Sequence, residues 1–85
     1  MLKLEFSNNS KKFLRDCDED LYNRINDKIN SLAVNPYPKD RKRVGGRKEK
    51  VFRVRVGSYR ILYVVFDEKN ALLISDIDKR GRVYD

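Results

Sequence analysis

Apolar residues recur every second position along some stretches of this chain and every third or fourth along others. Met1–Phe6 reads MLKLEF, with Leu2, Leu4 and Phe6 on one side, as a short strand requires. Ser7, Asn8, Asn9 and Ser10 then offer N-caps for a helix through about Cys17, whose apolar stripe is Phe13, Leu14 and Cys17. The acidic run Asp18–Asp20 suits the N-terminus of a second helix. There Leu21, Ile25, Ile29 and Leu32 follow one another by four, four and three residues and mark a single buried face. Asn35-Pro36 ends that helix, so the pair should form an antiparallel αα-hairpin. Period two returns in Lys50–Val56, Tyr59–Phe66 and Ala71–Asp78, a three-stranded antiparallel meander with turns at Gly57-Ser58 and at Asp67–Asn70. The pattern predicts an α+β fold: an N-terminal strand, a two-helix hairpin and the meander, with both helices on one face of the sheet.

The hairpin VFRVRVGSYRILYVV, residues 51–65, carries the most information. A two-residue turn at Gly57-Ser58 pairs Val56 with Tyr59, Arg55 with Arg60, Val54 with Ile61 and Arg53 with Leu62. Phe52, Val54, Val56, Tyr59, Ile61, Tyr63 and Val65 then share one apolar face, the natural partner of the helices. Arg53, Arg55 and Arg60 share the other. A plain four-residue turn at 67–70 would add Leu73, Ser75 and Ile77 to the arginine side. Arg55 and Arg60 lie directly opposite, a repulsive pair costing about 0.2–1 kcal/mol, and strands 51–66 contain no Asp or Glu to offset it. Two explanations fit: an anion sits there, or the arginines point into water from an open sheet face.

Composition changes this picture in one respect. Hydrophobic residues make up 40% of the chain and nine residues are Tyr or Phe, enough for one small folded domain spanning residues 1–85. The net charge is +7 and is unevenly placed. Residues 1–38 hold six basic and six acidic side chains, whereas residues 39–85 hold fourteen basic and seven acidic. Solubility alone needs no such asymmetry; an anionic partner does. The segment 36–50, PYPKDRKRVGGRKEK, contains seven cations and reads equally as a solvated connector or as an arm that contacts phosphates, through Arg47 and Lys48 among others. The tail adds Lys79, Arg80, Arg82 and Tyr84, which could fold back over the arginine face. Guanidinium groups grip phosphate in bidentate fashion and Tyr stacks on bases, a combination suited to single-stranded RNA. With no His and one Cys, neither a metal site nor a disulfide is expected, and no cofactor. No apolar run suggests a signal peptide or a membrane span, so a cytoplasmic protein is expected.

The stretch FRVRVGSYRILYVV, followed by IDKRGRVYD and preceded by an αα-hairpin ending in NP, resembles the RelE/ParE superfamily of toxin–antitoxin toxins. The resemblance covers nearly the whole chain and is strongest to RelE-type, archaeal-like members. It implies a curved antiparallel sheet with two helices on one side. It also implies an activity: an endoribonuclease (mRNA interferase) that enters the ribosomal A site, cuts mRNA there and inhibits translation. In that reaction the 2′-hydroxyl attacks the adjacent phosphodiester, leaving a 2′,3′-cyclic phosphate and a 5′-hydroxyl. Carried over by position, Arg53, Arg55, Arg60, Arg80 and Tyr84 become catalytic candidates, and Arg82, Lys79, Arg47 and Lys48 RNA-binding candidates. The implied partners are an acidic antitoxin, the ribosome and mRNA, with no membrane and no metal.

One departure matters for mechanism. Bacterial relatives have Lys where this chain has Arg53 and Arg55, and Arg stays protonated in almost any setting. A Lys base at those positions is therefore excluded, as is paired-imidazole catalysis. Catalysis would rest on electrostatic stabilisation and positioning, which predicts weak cutting of free RNA. Two rival readings are a ParE-like toxin that blocks DNA gyrase and cuts nothing, and a degenerate member without activity.

Overall fold

The computed structural model describes residues 1–45 and 50–79. Five strands and two helices follow in the order β1 (Lys3–Phe6), α1 (Asn8–Asp16), α2 (Glu19–Val34), β2 (Lys42–Arg43), β3 (Val51–Val56), β4 (Tyr59–Phe66) and β5 (Ala71–Lys79), with a 3₁₀ turn at Asp67–Lys69. They form one sheet ordered β1-β5-β4-β3-β2. The strand–helix–helix–meander order expected from sequence is present. Among the described residues no helix is long and apolar enough to cross a membrane.

Local chemistry sets the element ends. The Ser7 side chain accepts the Ser10 backbone N–H at the start of α1, and Asp18 accepts the Leu21 N–H at 2.8 Å to start α2. Gly57 takes a positive φ of 59° at the first central position of the hairpin turn, where a primed turn favours Gly. A Cβ there would also collide with the Arg24 guanidinium of α2. Asn70 supplies the left-handed residue (φ 52°) that closes the turn into β5.

The β3–β4 register is the one expected, pairing Arg55 with Arg60 and Arg53 with Leu62. On the helix side, Ile25, Ile29 and Leu32 of α2 pack against Phe52, Val54, Ile61, Tyr63, Val65, Leu72, Ile74 and Ile77. The Tyr63 hydroxyl, at the bottom of this core, donates to the Pro36 carbonyl at 2.7 Å and ties down the start of the following loop. Burial pushes its pKa up, so the hydroxyl stays a donor.

Three features depart from the sequence reading. First, β1 pairs parallel to β5, Lys3 to Ala71 through Phe6 to Ile74, in a sheet expected to be antiparallel throughout. Second, part of the basic segment joins the sheet: Lys42 and Arg43 form a short strand against Arg53 and Phe52. Arg41 organises the approach, donating to the carbonyls of Tyr37 and Pro38 while its guanidinium lies over the rings of Tyr37 and Phe52, 5.4 and 5.6 Å from their centroids. Third, the β4–β5 ladder contains a bulge. Tyr63 pairs with Ile74 but Leu62 pairs with Asp76, leaving Ser75 as the extra residue.

The bulge corrects the expected faces. Beyond it, every side chain of β5 changes side. Ile77, expected beside the arginines, joins the core opposite Ile61, and Ser75 leaves the ladder. Asp76 and Asp78 take the arginine face instead. The first helix holds the bulge in place: Ser7 Oγ donates to the Ser75 carbonyl at 2.8 Å and buried Ser10 Oγ to the Ile74 carbonyl at 2.9 Å.

Candidate functional site: a cationic sheet face

The register builds the open face in transverse rows. One row runs Arg55 (β3), Arg60 (β4), Asp78 (β5); the next runs Lys42 (β2), Arg53 (β3), Leu62 (β4), Asp76 (β5). Facing pairs in an antiparallel sheet stand about 4.5–5.5 Å apart at Cβ, so each row is contiguous. Charge is therefore graded across the face, positive on β2, β3 and β4 and negative on β5. Strands 51–66 hold no carboxylate, as read from sequence; across the whole sheet the bulge brings Asp76 and Asp78 onto this face, and Glu5 joins it at the β1 edge, paired with Leu73.

The arginines differ in exposure. Arg60 is 2% exposed and Arg53 is 6% exposed, whereas Arg55 is exposed. Arginine is rarely so buried unless its charge is compensated. The reading in which all three simply point into water does not describe Arg53 and Arg60. The two carboxylates are locally engaged: Asp76 accepts from the Ile77 N–H at 2.9 Å and Asp78 from the Lys79 N–H at 2.7 Å. β1 pairs β5 only as far as Ile74. These bonds thus cap amides on the edge of β5 that β1 leaves unpaired.

Beside Arg53 and Arg55, at the edge made by β2, lies a recess of about 270 Å³ lined by Asp40, Lys42, Arg53 and Arg55. Asp40 accepts a hydrogen bond from Lys28 of α2 at 2.9 Å, and this bond holds its carboxyl below the usual range against the opposing effect of burial. Further along the same face the character changes: Val44, Val51, Leu62 and Val64 form a second buried apolar cluster, with Phe66 and Leu73 packed on it. A larger groove of about 770 Å³, near Phe13, Cys17, Leu21 and Tyr59 along the unpaired edge of β5, includes none of the arginines. Among the described residues, no group of His, Cys, Asp and Glu side chains could hold a metal ion.

Of the candidates read from sequence, the fold brings Arg53, Arg55 and Arg60 together. Lys79 lies inside β5 rather than after it, and its pairing with Tyr59 sets it on the other face. Arg47, Lys48, Arg80, Arg82 and Tyr84 lie outside the described residues. Sequence reasoning missed Lys42, Asp76 and Asp78. A two-residue strand and a bulge carry no period long enough to detect; the only signal was the presence of charged residues near strand ends.

Comparison with known proteins agrees with this architecture. A family model described as the ParE toxin of type II toxin–antitoxin systems (parDE) matches residues 4–84. A protein of Methanocaldococcus jannaschii that carries the name RelE1 is 34% identical over 76 residues, covering 86% of this chain and 83% of the relative. A chain in the crystal structure of the archaeal RelE–RelB complex from Pyrococcus horikoshii OT3 superposes with a TM-score of 0.82 at 23% identity, over 96% of this chain and 98% of that one. The isolated E. coli RelE toxin gives 0.83 at 19% identity, over 98% and 88%. At such identities the structural matches speak for the fold, while the family model and the archaeal relative speak for descent. The chain belongs to the RelE/ParE superfamily of type II toxin–antitoxin toxins and is a RelE-type member.

Proposed function

We propose that this toxin is a ribosome-dependent endoribonuclease acting in the cytoplasm on mRNA in the A site. The observation that carries the reading is the row of Arg55 and Arg60 with Arg53 beside it, two of these guanidiniums buried and one open to solvent. Buried donors are preorganised, and preorganised charge aimed at a developing phosphorane is worth far more than mobile charge in water.

In this reading the codon lies across the cationic rows. Arg60 stabilises charge on the phosphate oxygens, and Arg53 and Arg55 hold the scissile and flanking phosphates. The 2′-oxygen attacks phosphorus and loses its proton, the P–O5′ bond breaks, and the departing O5′ takes up a proton. The products are a 2′,3′-cyclic phosphate and a 5′-hydroxyl. Arg80 and Tyr84 contribute further phosphate contact and stacking on the base, with Arg47, Lys48 and Arg82 adding affinity for RNA. Alignment of the substrate by the ribosome supplies the geometry that the protein alone does not, so free RNA is cut poorly. An acidic antitoxin that covers the basic face is the matching partner, consistent with RelE–RelB complexes among the structural neighbours.

The family model, described for ParE toxins, favours a second reading in which the protein blocks DNA gyrase and leaves RNA intact. Primer extension on translated mRNA after brief expression separates the two. Codon-scale cuts support the nuclease; DNA-damage signalling with intact mRNA supports the gyrase inhibitor.

A further inference from the structure

Arginine can stabilise a phosphate but cannot accept the 2′-hydroxyl proton, because it does not give up its own. A nuclease built on Arg53, Arg55 and Arg60 therefore needs another group on the same face. Few described residues qualify. Asp76 and Asp78 share the face but hold backbone amides at the edge of β5. Asp40 reaches the recess, yet its carboxylate is bonded to Lys28. Lys3 and Glu5 share the face only at the far edge of the sheet, paired with Ala71 and Leu73 and three strands away from Arg53. Lys79 is on the opposite face, paired with Tyr59. The tyrosines of the hairpin, Tyr59 and Tyr63, also face the helices.

Lys42 remains. Its strand lies outermost in the sheet, its partner in the ladder is Arg53, and its side chain lines the recess with Arg53 and Arg55. It is exposed, so a substrate can reach its amine without displacing the core. Resting on the ribonuclease reading above, we propose that Lys42 is the catalytic base of this site. Its neutral amine takes the proton from the 2′-hydroxyl as the 2′-oxygen bonds to phosphorus; the P–O5′ bond breaks and the departing O5′ takes a proton from water to give the 5′-hydroxyl. The short strand β2 thus places a titratable amine one strand away from the fixed charge of Arg53. The role is divided: the arginines hold the phosphate at constant charge, and Lys42 moves the proton. The groups facing Lys42 are Arg53 and Arg55 of β3 and Asp40 of the preceding loop, itself tied to Lys28 of α2.

The test compares single-turnover cleavage of ribosome-bound mRNA by wild type, Lys42→Arg and Lys42→Met between about pH 6 and 9. A general base contributes on the order of 10²–10⁴-fold. Both variants are expected to lose at least about 100-fold. They should also lose the rise of rate with pH that a lysine base imposes, since it must shed its proton before accepting another. An added small primary amine should restore part of the rate to Lys42→Gly. Lys42→Arg within a few-fold of wild type, with the pH profile unchanged, would overturn the proposal and leave Lys42 a phosphate contact. Wild type that leaves ribosome-bound mRNA intact would instead overturn the ribonuclease reading itself. Circular dichroism of each variant, expected to match wild type, separates loss of rate from loss of fold.

Discussion

The two faces of β3, β4 and β5 are made from the same strands, yet they are built on different physics. The helix-side face is filled by apolar groups whose burial is favourable in almost any close-packed arrangement. The other face buries Arg53 and Arg60, for which burial is unfavourable unless charge and hydrogen bonding are arranged in detail. The first face holds the domain together; the second holds charge in place at some cost to stability. That cost makes sense if the charge is used. A face kept only for solubility would leave its arginines in water, where both Lys and Arg serve equally well.

Placing a carboxylate at Ile77 should break the comparison most completely. The bulge sets Ile77 on the helix side opposite Ile61, where it is buried. Ile77→Asp puts an unpaired carboxylate into the apolar core, at several kcal/mol even after relaxation. The expected outcome is loss of cooperative folding, read by urea denaturation and by collapse of amide dispersion in NMR. Retention of a wild-type transition would show that Ile77 is not part of the apolar face.

Truncating the core itself should come next. Ile61→Ala removes a fully buried side chain from the helix face and should cost about 2–5 kcal/mol in urea unfolding. Cleavage per folded molecule should stay close to wild type, because the loss is on the face that does no chemistry.

The smallest effect concerns the recess. The Lys28 hydrogen bond holds the Asp40 pKa below its ordinary value, so the pair stabilises the fold above about pH 4. That contribution is lost as pH falls through the lowered value. Asp40 is half exposed, which limits the effect of Asp40→Asn to at most about 1 kcal/mol at pH 7. The difference from wild type should shrink as pH falls below about 4 in a pair of thermal melts.

These three sites also show what a single sequence can and cannot reveal. The helix-side face was legible because Phe52, Val54, Ile61, Tyr63 and Val65 repeat with period two and Ile25, Ile29 and Leu32 with helical spacing. The caps Ser7 and Asp18 and the turn at Gly57 were legible because their chemistry is local. The arginine row followed from the turn length alone. The bulge was not legible, since what fixes it is contact between Ser7 or Ser10 and carbonyls 68 and 64 residues away. The same limit hid the parallel pairing of β1 and the docking of Lys42, both decided by partners distant in sequence.

If the open face is a phosphate-binding catalytic surface and not a stability feature, its buried cations are needed for cutting. Arg60 is the position at which to ask, because it is buried in the row that faces both Arg55 and Asp78. The decisive measurement maps and quantifies cuts on ribosome-bound mRNA for wild type and Arg60→Ala, with urea unfolding of both proteins in parallel. Codon-scale cuts are expected from wild type, with a loss of about 10²–10³-fold in rate for the folded variant, the range seen when one preorganised donor to a transition state is removed. Undiminished cutting by folded Arg60→Ala would contradict that expectation.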